Sequence, residues 1–405
     1  MQQRPRHAYI HSPLTALLFV LLFTGIGGYF ILSSHAAASG CAVISSGTTL
    51  DYATLDACGY PSPNTAGVPS GTTLTSVGSI NCTNTTINAV YTTGNVSIGN
   101  NCTITNSRII GGGITVQNGV TGVVLNHDEI SGAYTGASAT SAPPTTPNCT
   151  YNATSGSGGA SSDILWEGDP AGITLDYDYL HCAAEPFNGN GIVKDSYIVS
   201  DECWGPCGSG STTHNEAIYI AGGNSSSKPG SDIEHNTILN AFGQTAGIFG
   251  DDHAFGPIHN LTINNNLIAD GGDNGAIPVG NSGDGNTAIN ITSNRLAFVY
   301  NASMPVGSTS ASAAQGGSWC GNFRDDTPTT YIGNDGATTG STAVACSGSG
   351  AVVGDLNGDG HVNIFDLSIF LSHWQQVGSS LPEDFNNDGT VNIFDLSILL
   401  SHYGS

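Results

Sequence analysis

Two twelve-residue stretches near the C-terminus carry side-chain oxygens at one shared spacing. Asp355, Asn357, Asp359, Asn363 and Asp366 stand at positions 1, 3, 5, 9 and 12 of the first. Asp384, Asn386, Asp388, Asn392 and Asp395 stand at the same positions of the second. Position 6 is Gly360 or Gly389, where the chain must turn sharply, and position 7, His361 or Thr390, offers its backbone carbonyl. A hard divalent cation takes six to eight oxygens at about 2.3–2.6 Å, so each stretch predicts a calcium cage and the pair predicts two Ca2+ ions. Position 12 is Asp, where the usual loop of this kind has Glu.

A second set of candidates falls between 201 and 260. "HNEAIYI" places His214 and Glu216 just before an apolar run, and "GDDHAFGPIH" places Asp251 and Asp252 one repeat further on. Hydrolysis of a glycosidic bond needs two carboxyl groups, one protonated and one ionised. Glu216 with Asp251 or Asp252, and His214 beside them, are the candidate catalytic residues. A β-eliminating lyase would instead need a base and something to neutralise a uronate carboxylate. Lys228, Arg295 or calcium would have to supply that charge.

The elements that position these residues show as a repeat between 100 and 300. Its form is apolar, two residues, then Asn, Asp or Ser, one residue, then apolar. The copies centre on Ser107, Asp128, Asp178, Ser196, Asn236, Asn266 and Asn294. A second column, Ile218, Ile248 and Ile277, keeps step with the later copies. Short strands recurring every 18–30 residues, with polar turns between, predict a solenoid whose coils must stack to bury their inner faces. Two apolar marks per period predict two strands per coil. Inward Ile and Val would form aliphatic columns, and the Asn, Asp or Ser would stack at the bends as a ladder. Residues 131–162 break the pattern and read as a long loop between coils.

Segments such as "SDIEHNTILNAFGQTAGIF" and "GPIHNLTINNNLIADGG" resemble right-handed parallel β-helix proteins, the fold of pectate lyases and polygalacturonases. Gly250-Asp251-Asp252 is similar to the adjacent aspartates of polygalacturonase-like hydrolases, but their flanking Asn-Thr-Asp, Gly-His-Gly and Arg-Ile-Lys signatures are absent here. "GDLNGDGHVNIFDLSIFL" and "DFNNDGTVNIFDLSILL", each a loop followed by helically spaced apolar residues, resemble the duplicated repeats of dockerin domains. That resemblance implies calcium binding and a cohesin-like protein partner. Both copies have Ile-Phe after the ninth loop position (Ile364-Phe365 and Ile393-Phe394), where cellulosomal dockerins commonly have a polar pair.

Composition fits an exported, mainly β protein. Charged residues make up 9% of the chain and glycine 56 of its 405 residues, against about 25% charge in ordinary domains. The formal charge of −24 disfavours nucleic acid and anionic lipid as partners. At the N-terminus, basic residues precede an apolar run over 14–32 and then Ala36-Ala37-Ala38. This is either a cleaved signal peptide or a retained anchor helix, the only route to a membrane. The ten cysteines predict disulfides. Their spacing does not suit zinc.

The expected organisation is a signal or anchor over 1–38, a β-helix over 39–320, an end cap and linker over 321–353, and an α-helical, EF-hand-like dockerin over 354–405. The expected function is that of a secreted or cell-surface protein. Its β-helix binds or processes polysaccharide, as a glycoside hydrolase or a calcium-dependent lyase, and its dockerin docks it to a scaffold. The alternative is a non-catalytic adhesin with a calcium-stapled tail.

Overall fold

The structure is a computed structural model. It describes residues 50–403 except 112, 142–148, 150–163, 167, 169–171, 202–213, 243–244, 254, 281–284, 302–305, 307–315, 326–330, 335–345, 347–353, 355, 357–361, 363, 377–380, 382 and 387–388. The apolar run over 14–32 lies outside these residues. Among the described residues no helix is long and apolar enough to cross a membrane.

The chain is mainly β. Its strands form long parallel sheets, an arrangement compatible with a β-helix. The first sheet has ten strands, from Thr75–Ser76 to Phe323–Arg324. The second has five, from Ile114–Val116 to Ala246–Asp251, and the third has nine, from Thr85–Asn88 to Ser318–Cys320. The pair Ile80–Cys82 and Val96–Ile98 precedes the second sheet. In each sheet, strand order follows chain order, so the chain visits first, second and third sheet in turn and then returns one strand further along.

Most turns of the chain therefore hold three strands, not the two expected from the repeat. The motif itself spans a corner. In the copy around Ser107, Ile104 lies in a strand of the third sheet and Ile109 in a strand of the first. The second column, Ile218 and Ile248, supplies the second sheet.

Register stacks like on like. Ile104, Leu125, Leu175, Val193, Ile233, Ile263 and Ile291 form one continuous in-register column in the third sheet. All are buried in one core. Burial of each such side chain contributes roughly 1.5–3 kcal/mol, and a short strand obtains it only from its neighbours.

The corner between the third and first sheets is built from two consecutive residues per coil. The first adopts a left-handed conformation, as at Asn106, His127, Tyr177, Asp195, His235, Asn265 and Ser293 (φ 48° to 58°). Outside glycine this costs roughly 1–2 kcal/mol per residue. The second residue offsets that cost by accepting a hydrogen bond from the matching backbone N–H of the preceding coil. Ser107 N donates to Asp128 Oδ1 at 2.7 Å, Asp128 N to Asp178 Oδ1 at 2.8 Å, and Ser196 N to Asn236 Oδ1 at 2.9 Å. The ladder continues through Asn266 and Asn294 to Asn322, beyond the copies visible in the repeat. Each of these asparagines also donates Nδ2 to a strand carbonyl of the coil before, as Asn266 does to Ile233 O at 2.9 Å.

The outer face of the first sheet is covered. Helix α1 (Tyr52–Ala57) and the segment after it pack on Tyr179, Tyr197, Leu239 and Leu267. Thr237 Oγ1 donates to Pro61 O at 2.6 Å, and His235 Nε2 lies 2.8 Å from Gly59 O. Disulfides join Cys82–Cys102, Cys149–Cys182 and Cys320–Cys346.

The C-terminal region contains α2 (Ile364–Ser372) and α3 (Ile393–Ser401). Val362, Phe370, Val391 and Leu399 form its small core, with Leu356, Leu367, Phe385 and Leu396 packed against it. Each repeat contributes the same positions, twenty-nine residues apart.

Candidate functional site

In the second C-terminal loop, the chain folds its own polar groups inward. Gly389 turns the chain at φ +87°, and its N–H donates to Asp384 Oδ2 at 2.7 Å. Asp395 accepts from Asn386 N at 3.1 Å and from Asn392 N at 3.0 Å. Asn392 caps α3, its Oδ1 accepting from Phe394 N at 2.8 Å. Asp395 lies in the first turn of α3, where the helix dipole favours a negative charge. In the first loop, Asp366 accepts from Leu356 N at 2.7 Å.

Asp366, Asp384 and Asp395 are buried in a region with a very small apolar core. Buried carboxylates need a compensating charge, and an all-oxygen donor set suits a hard cation. Asp384, Asn386, Asn392 and Asp395, with the Thr390 carbonyl, would hold it in the second loop. Asp355, Asn357, Asp359, His361, Asn363 and Asp388 lie outside the described residues.

The other candidates sit on the second sheet. Glu216 opens the strand Glu216–Ala221, and Asp251 ends its neighbour Ala246–Asp251. Register places Glu216 beside Ala246 and Asp251 beside Ala221. Their backbones are thus five residues apart along the strand, about 16 Å. Catalytic carboxyl pairs lie within about 5–10 Å. The expected partners Glu216 and Asp251 thus stand at opposite ends of neighbouring strands.

Asp251 accepts from the Tyr219 hydroxyl at 2.7 Å and from His253 N at 2.9 Å. Asp252 is buried, accepting from Asn286 Nδ2 at 2.6 Å and facing His253 Nδ1 at 2.9 Å. Asp251, Asp252 and His253 bring potential metal-ligating atoms within 4.8 Å of one another, and protein partners engage both aspartates.

Glu216 differs from both. Its side chain is 1% exposed, and neither carboxyl oxygen makes a hydrogen bond. Burial, with the nearby Glu185 carboxyl, pushes its pKa up to about 8. Thr245 tempers the shift without making a hydrogen bond of ordinary geometry. Asp251 is the weakest of the charges acting on it. His214, 66% exposed, places Nδ1 3.7 Å from Oε1, so a solvent-facing side chain stands at the buried acid.

The carboxyl that does approach Glu216 is Glu185. Phe187 pairs with Ile218, and Glu185 and Glu216 each stand two residues before these partners. Glu185 lies just outside its strand, Phe187–Gly189, and its charge is the largest of those acting on Glu216. Glu185 is held by Asn188 Nδ2 at 2.6 Å, and burial raises its pKa. The signal was present in the sequence, where "EPF" and "EAI" place Glu at one offset from an inward residue.

Asp270 completes the corner. It accepts from Asn240 Nδ2 at 2.9 Å, its other oxygen has no hydrogen bond, and burial pushes its pKa well up.

A third constellation has the order of a hydrolytic triad. Ser131 Oγ lies 3.3 Å from His181 Nδ1, and His181 Nε2 lies 3.1 Å from Glu129 Oε1. It is buried on the outer face of the first sheet, and the Ser131 hydroxyl donates to Gly132 O at 2.7 Å. Arg108 Nε donates to Glu129 Oε2 at 2.6 Å, and the Tyr134 hydroxyl donates to Oε1 at 2.7 Å. Burial opposes ionisation of Glu129, yet His181 and Arg108 hold its pKa below the ordinary value. This network ties the start of the 131–162 loop to the sheet, and it leaves no nucleophile accessible.

The basic side chains beyond residue 100 are largely spent on structure. Arg108 serves Glu129, and Lys194 bridges Asp232 and Glu234. Arg295 pairs with Asp325, and Arg324 lies over the Phe298 ring. Lys228 is on the 222–231 loop, at the opposite end of the strand from Glu216.

Comparison with known proteins finds one family: residues 353–402 match the Dockerin type I domain. Neither a curated protein nor a solved structure matches this chain.

Proposed function

From a chain that ends in a type I dockerin domain, over residues 353–402, we propose an exported polysaccharide hydrolase delivered to a cohesin-bearing scaffold. A signal or anchor over 1–38 exports it. The β region is a right-handed parallel β-helix, the hand that parallel crossovers adopt almost without exception. Two Ca2+ ions order the dockerin, and the ordered domain presents α2 and α3 to the cohesin.

The observation that carries the catalytic reading is the Glu216 carboxyl, buried and without a hydrogen bond beside Glu185. An acid with a pKa of about 8 keeps its proton at neutral pH and can give it to a glycosidic oxygen as the C–O bond breaks. The Glu185 carboxylate, one strand away, then serves as the nucleophile. A nucleophile whose charge acts this directly on the acid favours a covalent glycosyl intermediate, which water hydrolyses with retention. His214 positions Glu216 at the solvent boundary. Asp251 and Asp252, held by Tyr219 and Asn286, shape the other end of the strand.

The test uses the full chain with calcium on a panel of polysaccharides, following release of reducing ends. Glu216→Gln should abolish release, and activity should fall as pH rises through about 8, where the acid ionises. Retention of glycan without any product would instead favour the non-catalytic adhesin. Capture by an immobilised cohesin module that survives chelation would refute the calcium-dependent docking.

A further inference from the structure

We infer that the glycan taken by this site is a neutral polysaccharide, lying parallel to the stacking axis on the outer face of the second sheet. The inference rests on the hydrolase reading above and names its substrate class.

Two observations carry it. The first is a column of outward residues in register across successive coils. Asn188 pairs with Tyr219, and Tyr219 with Phe249. The Gly250–Val279 bridge places Pro278 next in line. The Tyr219 and Phe249 rings stack, with centroids 5.9 Å apart and planes 24° apart. All four side chains are partly exposed. Coils repeat every ~4.8 Å along the axis, close to the length of one sugar unit in an extended chain. A run of ring faces edged by the Asn188 amide and the Tyr219 hydroxyl suits a sugar polymer, which offers a C–H face and hydroxyl edges in each unit.

The second observation is the charge along the column. Asn188 holds the Glu185 carboxyl at one end, and Tyr219 holds the Asp251 carboxyl beside the next. Glu216 and Asp270 lie at the adjacent corner. Arg108, Lys194, Arg295 and Arg324 are occupied on other parts of the molecule, and Lys228 stands at the far end of the strand. A uronate polymer would bring one carboxylate per sugar onto a surface already acidic. A neutral polymer meets no such repulsion, and its hydroxyls donate to the carboxylates present.

Affinity electrophoresis of the calcium-loaded full chain tests this directly. The probes are xylan, glucomannan and mixed-linkage β-glucan against polygalacturonate and alginate. At least one neutral polymer should retard the protein, and neither acidic one should. Tyr219→Ala with Phe249→Ala should weaken retardation about tenfold or more. Glu216→Gln should retain binding while losing product release. Should the double variant melt early, Phe249→Leu alone, which keeps apolar volume without the ring, should still weaken binding. Preferential binding of polygalacturonate, or wild-type binding by a folded double variant, overturns the inference. Glu216-dependent cleavage of polygalacturonate would overturn the substrate class and leave the hydrolase standing. Neutral-glycan binding without cleavage would do the reverse, and retention by none of the five polymers would sink both.

Discussion

The coiled β region and the C-terminal region both bury aspartate, and they do so in opposite ways. Asp128 and Asp178 lie inside a ladder otherwise made of Ser and Asn, and burial pushes both their pKa values well up. In Asp178, Oδ1 accepts from Asp128 N, and Oδ2 has no hydrogen bond. Burial there opposes the charge that both carboxyl groups would carry. Asp384 and Asp395 use their oxygens to accept several N–H groups in a loop that a cation can complete. In one region burial disfavours the ionised carboxyl, and in the other the loop is arranged so that a cation can offset its charge. The difference follows from core size. Stacked coils share one long core, whereas the C-terminal core has only four fully buried apolar residues among those described.

Chelation should separate the two most sharply. A ligand held at a thousand times its Kd contributes about 4 kcal/mol of stability per site, comparable to all that so small a core supplies. Hydrogen exchange on the full chain in EDTA should show α2 and α3 losing protection while the strands between 164 and 297 keep theirs. Equal loss in both regions, or in neither, would erase the contrast.

The next largest effect lies within the ladder. Asn266 Oδ1 accepts from Asn236 N at 2.9 Å, and its Nδ2 reaches Ile233 O and Asn294 Oδ1. Asn266→Ala leaves buried donors and acceptors without partners, at about 1–3 kcal/mol for each. The expected loss is about 2–5 kcal/mol in urea unfolding of the β region, with no change in calcium affinity. A loss below 1 kcal/mol would mean that the columns, not the ladder, set the stability of the coils.

This ladder was legible in the sequence because each rung needs its own Asn, Asp or Ser at a fixed offset from two apolar residues. The columns were legible for the same reason, and so was the duplicated acidic loop. What could not be read depends on register between distant residues. Glu185 and Glu216 come together only because Phe187 pairs with Ile218 across residues 202–213, which interrupt the period. Glu129 meets Arg108 and His181 because three strands align, at separations of 21 and 52 residues. The three-strand coil was hidden because its corner falls inside the motif. The covering of the first sheet by the segment after residue 50 left no periodic signal at all.

A smaller effect tests the neutral-aspartate half of the contrast. The folded pKa of Asp178 is raised, whereas the unfolded carboxyl ionises near 3.9. Its contribution is therefore most favourable below about pH 4 and is lost as pH rises from there toward the folded value. Asp178→Asn removes that loss and supplies the missing donor. It should stabilise the protein at pH 7 by about 1–2 kcal/mol and flatten the rise in stability on acidification. A destabilising Asp178→Asn would mean that the carboxylate is ionised in the fold and has a partner of its own.

The smallest expected effect concerns charges left at the surface. Lys194 Nζ lies 2.7 Å from Glu234 Oε2 and 3.1 Å from Asp232 Oδ2, on the outside of the third sheet. The side chain is 35% exposed, so solvent and salt screen most of the attraction. Lys194→Met keeps the stem packed against the strand and removes the charge. It should cost less than about 1 kcal/mol, and the cost should shrink further in 0.5 M salt. A larger, salt-insensitive loss would place this pair with the buried Arg108–Glu129 bridge. The coiled region would then depend on paired charge as well as on neutral ladders, which would narrow its distance from the calcium-dependent tail.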